Sequence, residues 1–152
     1  LAEAAYPNIA ESYRDAARFG ESGKIVVMGG VIPGQTTDAV AALLAERIRA
    51  DLLVNATSVD AIYSTDPKRD PRAKRHDRLT PAQLLEILAG DRLEAGANTV
   101  FDMVAARVIE RCGVPLAVLD GRDPAILKRA ILAGKFQGTV VTAEKGSPFP
   151  LE

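Results

Sequence analysis

The chain has almost none of the residues from which disulfides and transition-metal sites are built. Its 152 residues include one cysteine, Cys112, and one histidine, His76. A single cysteine cannot form an internal disulfide, which agrees with a reducing compartment. A single histidine without a cysteine cluster is too little for a zinc site or for a histidine-based catalytic triad. We therefore expect neither kind of site.

The chain also lacks an excess of charge, a long apolar run, internal repeats and low-complexity tracts. It carries 19 basic and 20 acidic residues, a net charge of −1, so it has no bulk attraction for nucleic acid or for an anionic membrane. No apolar run approaches the ~20 residues that a membrane-spanning helix needs. The composition, 47% hydrophobic and 26% charged, is that of an ordinary globular domain. We expect a single cytoplasmic domain with no nucleic-acid or membrane partner.

Short apolar segments alternate with helical patterns along the sequence. Helices are predicted over 9–19, 38–50, 80–89, 98–112 and 123–134, and strands over 24–28, 51–56, 115–119 and 138–142. Such alternation is typical of α/β folds, in which right-handed crossovers connect parallel strands and ligands bind beyond the carboxyl ends of the strands. Residues 143–152 contain two prolines and no periodicity, so we expect a loose tail.

A glycine turn places two hydroxyls and a carboxylate at the start of an alanine-rich helix. Residues 33–38 read PGQTTD. The first backbone N–H groups of a helix have no partner within it, and the helix dipole is positive there, so this position favours an anion. Asp38 would repel a phosphate unless a lysine or Mg²⁺ lay between them. The pattern suggests phosphoryl chemistry with a cation present. The three residues Thr36-Thr37-Asp38 taken alone, however, favour a plain helix cap at Thr37 or Asp38.

A second motif follows the next predicted strand. Residues 55–67 read NATSVDAIYSTDP. Taken alone, this is a strand end followed by a turn, with Asp66 and Pro67 as ordinary turn residues. Both motifs together, in this order and at this separation, resemble the amino-acid-kinase family, most closely the archaeal type of uridylate (UMP) kinases. The likeness extends over 24–141 and includes the helix at 102–111 and the ending Gly138-Thr139.

The resemblance implies both a fold and a reaction. The expected fold is an α/β three-layer sandwich around a mostly parallel sheet. The expected activity is transfer of the γ-phosphoryl group of ATP to UMP with Mg²⁺, giving UDP for pyrimidine nucleotide biosynthesis, in a hexameric enzyme. Two alternatives stay open: a kinase acting on a carboxylate or another small phosphate, and a non-catalytic module that binds a nucleotide or an oxoanion.

The resemblance also implies roles for individual residues. The aspartate that matches Asp38 organises the catalytic lysine. Positions that match Thr57, Tyr63 and Asp66 belong to the ATP site, with the tyrosine beside adenine and the polar pair near the ribose or its loop. The stretch that lines the site of the acceptor nucleotide matches Val31, Ile32, Pro33, Gly34, Gln35, Thr36 and Thr37.

The chain departs from the family pattern at several of these positions. Archaeal UMP kinases commonly have Thr-His at Val31-Ile32 and His at Gln35, so the acceptor is less firmly implied than the fold. They usually have glycine at Ala61, and alanine there would cost about 1 kcal/mol if the position required a positive φ. The family also places a lysine and a glycine-rich phosphate loop on its first two strands. Neither is found upstream of these motifs, so we expect the C-terminal two-thirds of such a kinase, inactive by itself.

Two further features each have two interpretations. Asp102 lies early in a helix, where an acid either complements the helix dipole or acts electrostatically or through Mg²⁺ at the site. Residues 68–78 contain six Lys or Arg and two Asp. This run lacks interleaved aromatic residues, so a solvated loop or a subunit contact is favoured over nucleic-acid binding.

Overall fold

The computed structural model describes residues 3–65, 67, 70–91 and 101–143 of the chain, and within them it contains five helices and six strands. The helices are α1 (Tyr13–Gly20), α2 (Thr37–Ile48), α3 (Pro81–Asp91), α4 (Met103–Cys112) and α5 (Pro124–Ala133). The strands are β1 (Leu53–Thr57), β2 (Ile62–Tyr63), β3 (Arg75–His76), β4 (Arg78–Leu79), β5 (Leu116–Asp120) and β6 (Gly138–Val141).

The main sheet has four strands in the order β1-β5-β6-β4. β1 runs parallel to β5 and β4 runs parallel to β6, whereas β5 and β6 are antiparallel. β2 and β3 form a separate antiparallel hairpin. The sheet is therefore mixed but mostly parallel, which confirms the predicted class.

Helices cover both faces of this sheet. Along β5, Leu116 and Val118 belong to the larger core, with α2, α3 and α4, whereas Ala117 and Leu119 belong to the core beneath α5. All four side chains are fully buried, as expected for a strand that is covered on both faces. The result is the predicted three-layer arrangement of helices, sheet and helix.

Near the start of the chain, one predicted helix begins later than expected and one predicted strand is not formed. The helix expected at 9–19 begins only at Tyr13, because Ser12 caps it by accepting a hydrogen bond from the Asp15 N–H at 3.1 Å. Ile9, placed on its buried face by the pattern, is 67% exposed. The strand expected at 24–28 is tied to 5–10 by two isolated parallel bridges, Ala5 with Ile25 and Ala10 with Met28, and residues 7 and 8 form a bend between them.

The remaining predicted elements agree with the structure within a few residues, whereas the short strands β2, β3 and β4 were not predicted, and β3 and the start of β4 lie in the basic run expected to be a loop. α2 ends at Ile48 because Arg49 takes the left-handed conformation, with φ 52°. α5 begins at Pro124 after the capping Asp123, as its sequence predicts. The predicted start of the 98–112 helix and most of the predicted loose tail fall on 92–100 and 144–152, which lie outside the described residues. In the described part of the chain, no helix is both long enough and apolar enough to cross a membrane.

Candidate functional site

The carboxyl ends of β1 and β5 meet at one edge of the sheet. Thr57, the last residue of β1, is in register with Asp120, the last residue of β5. The Gly121 N–H then donates to the Thr57 carbonyl at 2.8 Å. A Cβ at Gly121 would lie 2.8 Å from the Cβ of Ala56, so only glycine allows this close approach. The turn after β5 is thereby held against the end of β1.

The glycine turn before α2 has the conformation that its sequence predicts. Gly34 has φ +85°, and the Gln35 N–H donates to the Ile32 carbonyl at 3.1 Å. The helix cap, however, is Thr36, whose hydroxyl oxygen accepts from the Ala39 N–H at 3.1 Å. The expected cap at Thr37 or Asp38 is therefore wrong by one or two residues. As a result, Thr37 and Asp38 lie in the first helical turn.

Asp38 connects the start of α2 to the start of α4. Its carboxylate accepts a hydrogen bond from the Asp102 backbone N–H, while the Asp102 carboxylate caps α4 by accepting from the Ala105 N–H at 3.0 Å. Partial burial raises the pKa of Asp38; the Asp102 N–H opposes that rise, and the Asp102 charge adds to it. A cation beside Asp38 would favour its ionised form.

The two helices run parallel, so both positive ends point to this site. Farther along, Arg111 of α4 donates two hydrogen bonds, at 2.9 and 2.6 Å, to the Glu46 carboxylate of α2. Between these two sets of hydrogen bonds, one at each end, the helices meet through small, fully buried side chains, among them Ala42, Ala105 and Ala106. Two helix starts with two carboxylates between them can bind an anion together with its counter-cation.

In the segment that follows β1, Tyr63 is held by Asp60. The tyrosine hydroxyl donates to the Asp60 carboxylate, at 3.1 and 3.3 Å to its two oxygens. Arg75, in register with Tyr63 on β3, places its Nε 3.6 Å from the same carboxylate. Loss of hydration and the bond to Asp60 raise the pKa of Tyr63, which Arg75 partly offsets. Sequence reasoning gave no role to Asp60, although it lies within the second motif.

A buried threonine attaches the β2–β3 hairpin to the main sheet. The Thr139 hydroxyl accepts from the Ile62 N–H at 2.8 Å and donates to the His76 carbonyl at 2.5 Å. Thr139 is fully buried, and so is Ala61, which directly precedes β2. Ala61 does not have a positive φ, so it carries none of the backbone strain considered above.

A cation that the sequence analysis overlooked lies at the same edge of the sheet. Arg122 donates through two nitrogens to the Asp120 carboxylate and lowers the pKa of Asp120 to about 2. The Arg122 side chain is nevertheless 70% exposed, and it also experiences the charge of Asp60. The sequence Asp120-Gly121-Arg122 at the end of an apolar strand was the signal from which this ion pair could have been predicted.

The remaining candidate residues of the stretch 31–35 are exposed or partly exposed. Gln35 accepts a 3.4 Å hydrogen bond from the Tyr13 hydroxyl of α1, and Ile32 is 49% exposed.

Asp66 lies outside the described residues. From the basic run, the exposed Arg72 pairs with Asp70; positions 68 and 69 also lie outside the described part. Among the described residues, no three His, Cys, Asp or Glu side chains are grouped to hold a metal ion.

Comparison with known proteins gives a consistent result. The model of the amino acid kinase family matches residues 5–120. The chain is 61% identical over 150 residues to the uridylate kinase of Methanoculleus marisnigri, and 55% identical over 152 residues to that of Methanospirillum hungatei. These alignments cover 99% and 100% of this chain but only 64% of each relative. The crystal structure of uridylate kinase from Archaeoglobus fulgidus superimposes with a TM-score of 0.80 at 42% identity, covering 91% of this chain and 62% of that one.

Proposed function

The chain belongs to the amino acid kinase family, and we propose that the full-length protein is a uridylate kinase. It transfers the γ-phosphoryl group of ATP to UMP, and its product, UDP, enters pyrimidine nucleotide biosynthesis. The observation that carries the proposal is the 61% identity, over 99% of this chain, with a uridylate kinase. The geometry at the edge of the sheet supports it, because phosphoryl transfer depends mainly on positioning and on neutralisation of charge.

We assign the acceptor, UMP, to the stretch from Val31 to Thr37. The left-handed Gly34 and the Thr36 cap support this assignment because they present the first N–H groups of α2 at an exposed turn. Those groups and the positive helix end favour a phosphate. The Thr37 hydroxyl, exposed in the first helical turn, is available for a hydrogen bond to the same group.

Asp38 is proposed to organise the catalytic cation. Its carboxylate is partly buried, its pKa is raised, and its orientation is fixed by the Asp102 N–H. A lysine or a metal ion beside it would favour the ionised form and would lie between two helix starts, where the phosphates meet. Asp38 then holds the cation at a fixed position rather than exchanging a proton with the substrate.

The donor, ATP, is assigned to the end of β1 and the hairpin that follows it. Thr57 ends β1 and is partly buried, and the ring of Tyr63 offers a face for adenine. Asp66 belongs to this proposal through its place in the motif. Mg²⁺, when bound, neutralises charge on the transferring phosphates; it is usually held by one or two carboxylates together with substrate oxygens. Asp38 and Asp102 suit that mode of binding, and a cluster of three protein ligands is not needed for it.

We further propose that the protein acts in the cytoplasm as a homo-oligomer, a hexamer by family likeness. The mass of the full-length protein in solution, measured by light scattering after gel filtration, tests the assembly. A mass of six subunits is expected, and a monomer at micromolar concentration would refute it.

The activity is tested by coupling ADP release to a spectrophotometric readout in the full-length protein with MgATP. UMP, CMP, aspartate and carbamate are compared as acceptors, because Val31 and Ile32 replace the polar residues usual at the acceptor site. The expected result is turnover that depends on UMP, with UDP as the product. Turnover with another acceptor and none with UMP would make the protein a different kinase of the family, and ATP binding without turnover on any acceptor would favour a binding module.

A further inference from the structure

The orientation of the Tyr63 ring depends on a short series of polar contacts. Tyr63 is only partly buried and lies on a strand of two residues, so packing restrains its ring less than it would a core side chain. Its hydroxyl donates to both oxygens of the Asp60 carboxylate. A hydrogen bond to an ionised acceptor is about twice as strong as one between neutral groups.

Asp60 is itself held in place from the main sheet. Arg75 lies 3.6 Å from the Asp60 carboxylate and donates to the Gly138 carbonyl at the start of β6, at 3.3 Å. Arg75 also pairs with Asp77, and its side chain is only 33% exposed. The contacts therefore run from the backbone of β6 through Arg75 and Asp60 to the hydroxyl of Tyr63.

We propose that Asp60 is a positioning residue for the donor nucleotide. This inference rests on the proposed function, in which adenine lies against Tyr63. A two-stranded hairpin is marginally stable by itself, so the ring needs an external restraint if it is to present one face to a base. Asp60 provides this restraint through the tyrosine hydroxyl without touching the nucleotide. Arg75 holds Asp60 in position.

An ordinary stabilising role for Asp60 would have different consequences. If the carboxylate only stabilised the loop, its removal would loosen the whole edge of the sheet and weaken the binding of both nucleotides alike. If it acts through the hydroxyl of Tyr63, its removal weakens the binding of ATP alone. The loss should then also disappear in a protein whose tyrosine has no hydroxyl.

The test is a double-mutant cycle on ATP affinity in the full-length protein, measured by titration calorimetry with MgATP. The variants are Asp60→Ala, Tyr63→Phe and the two combined. We expect each single change to weaken ATP binding by about fivefold, and the double change to weaken it no further. Asp60→Asn keeps an acceptor for the hydroxyl but loses the charge that pairs with Arg75, so its loss of ATP affinity should be smaller than that of Asp60→Ala.

The matched control is Asp70→Asn, which removes another carboxylate paired with an arginine, Arg72, in the same loop. It should leave ATP affinity unchanged. UMP affinity, titrated separately, should be unchanged in every variant. Losses that multiply in the double variant, an equal loss of UMP affinity, or wild-type ATP affinity for both Asp60→Ala and Tyr63→Phe would overturn the proposal. Because the double-mutant cycle itself measures ATP binding, its outcome does not depend on which acceptor the turnover assay identifies.

Discussion

The two sides of the proposed site are built by different means. On the acceptor side, the starts of α2 and α4 are fixed by helices that pack into the main core, and Asp38 joins them directly. On the donor side, Tyr63 lies on a two-residue strand whose other residue, Ile62, is buried in that core, but the tyrosine itself is held by polar contacts to Asp60. We therefore expect substitutions on the acceptor side to affect the chemistry, and those on the donor side to affect local stability and ATP affinity.

The strongest test of this contrast is Asp38→Asn in the full-length protein. Asparagine keeps the shape and can still accept the Asp102 N–H, so thermal stability should change little. Turnover should fall by a factor of hundreds or more, because a preorganised charge is lost. Steady-state kinetics and a thermal melt measure the two effects. Near-normal turnover would remove Asp38 from the catalytic role.

Thr139→Val should have the next largest effect, on stability. Valine keeps the shape but leaves the buried Ile62 N–H and the His76 carbonyl without their partner. The free energy of unfolding should fall by about 1–3 kcal/mol in urea denaturation. The control, Ser58→Ala, removes an exposed hydroxyl and should stay within about 0.5 kcal/mol of the wild type. Equal effects of the two substitutions would mean that Thr139 does not anchor the hairpin.

Tyr63→Ala sharpens the division between the two nucleotides. Loss of the ring should weaken ATP binding about tenfold, since stacking and apolar contact are removed together, and should leave the UMP constant little changed. Tyr13→Phe is the reciprocal control, because its hydroxyl contacts Gln35 on the acceptor side. It should leave ATP affinity unchanged. Equal ATP affinity in the wild type and Tyr63→Ala would remove Tyr63 from the site.

Glu46→Gln should have the smallest effect, because the pair with Arg111 is exposed and surface ion pairs contribute little. The hydrogen bonds from Arg111 lower the pKa of Glu46 below its ordinary value, so the contribution of the pair is present above that ordinary value. It is lost as the pH falls through the lowered pKa. Melting temperatures of the wild type and the variant should therefore differ by about a degree or two at pH 7 and converge in acid.

Glu110→Gln is the matched control for that experiment. Among the described residues, Glu110 pairs with Arg107 of the same helix, α4. It should shift the melting temperature less than Glu46→Gln does. A difference between wild type and Glu46→Gln that widened in acid would contradict the pKa argument.

The sequence predicted the main features of the fold because its local rules act over a few residues. Proline after the capping Asp123 fixes the start of α5, and Gly34 indicates its turn. The rules failed where several residues that can cap a helix are adjacent. At the start of α2, the backbone dihedral angles make Thr36 the cap, and residue type alone could not single it out. They also failed at 24–28, since an apolar run does not reveal whether a partner strand lies beside it.

The site was predictable only in part for a similar reason. The two motifs indicated the starts and ends of the elements that carry the site, and their joint resemblance indicated the family. Contacts between residues far apart in sequence, such as Asp38 with Asp102 or Thr139 with Ile62, depend on how the layers pack. No local pattern contains that information. Asp60 and Arg122 were overlooked because an acid or an arginine in a loop is ordinarily exposed to solvent.

The parallel pairing of α2 with α4 has a mechanical consequence. α2 is followed by the left-handed Arg49 and leads into β1, and α4 is followed by the left-handed Gly113 and leads into β5. These two strands are themselves paired side by side. The two helix–strand units thus form one block joined along its whole length, and neither can tilt without the other. A motion that opened the proposed site would therefore have to hinge outside this block.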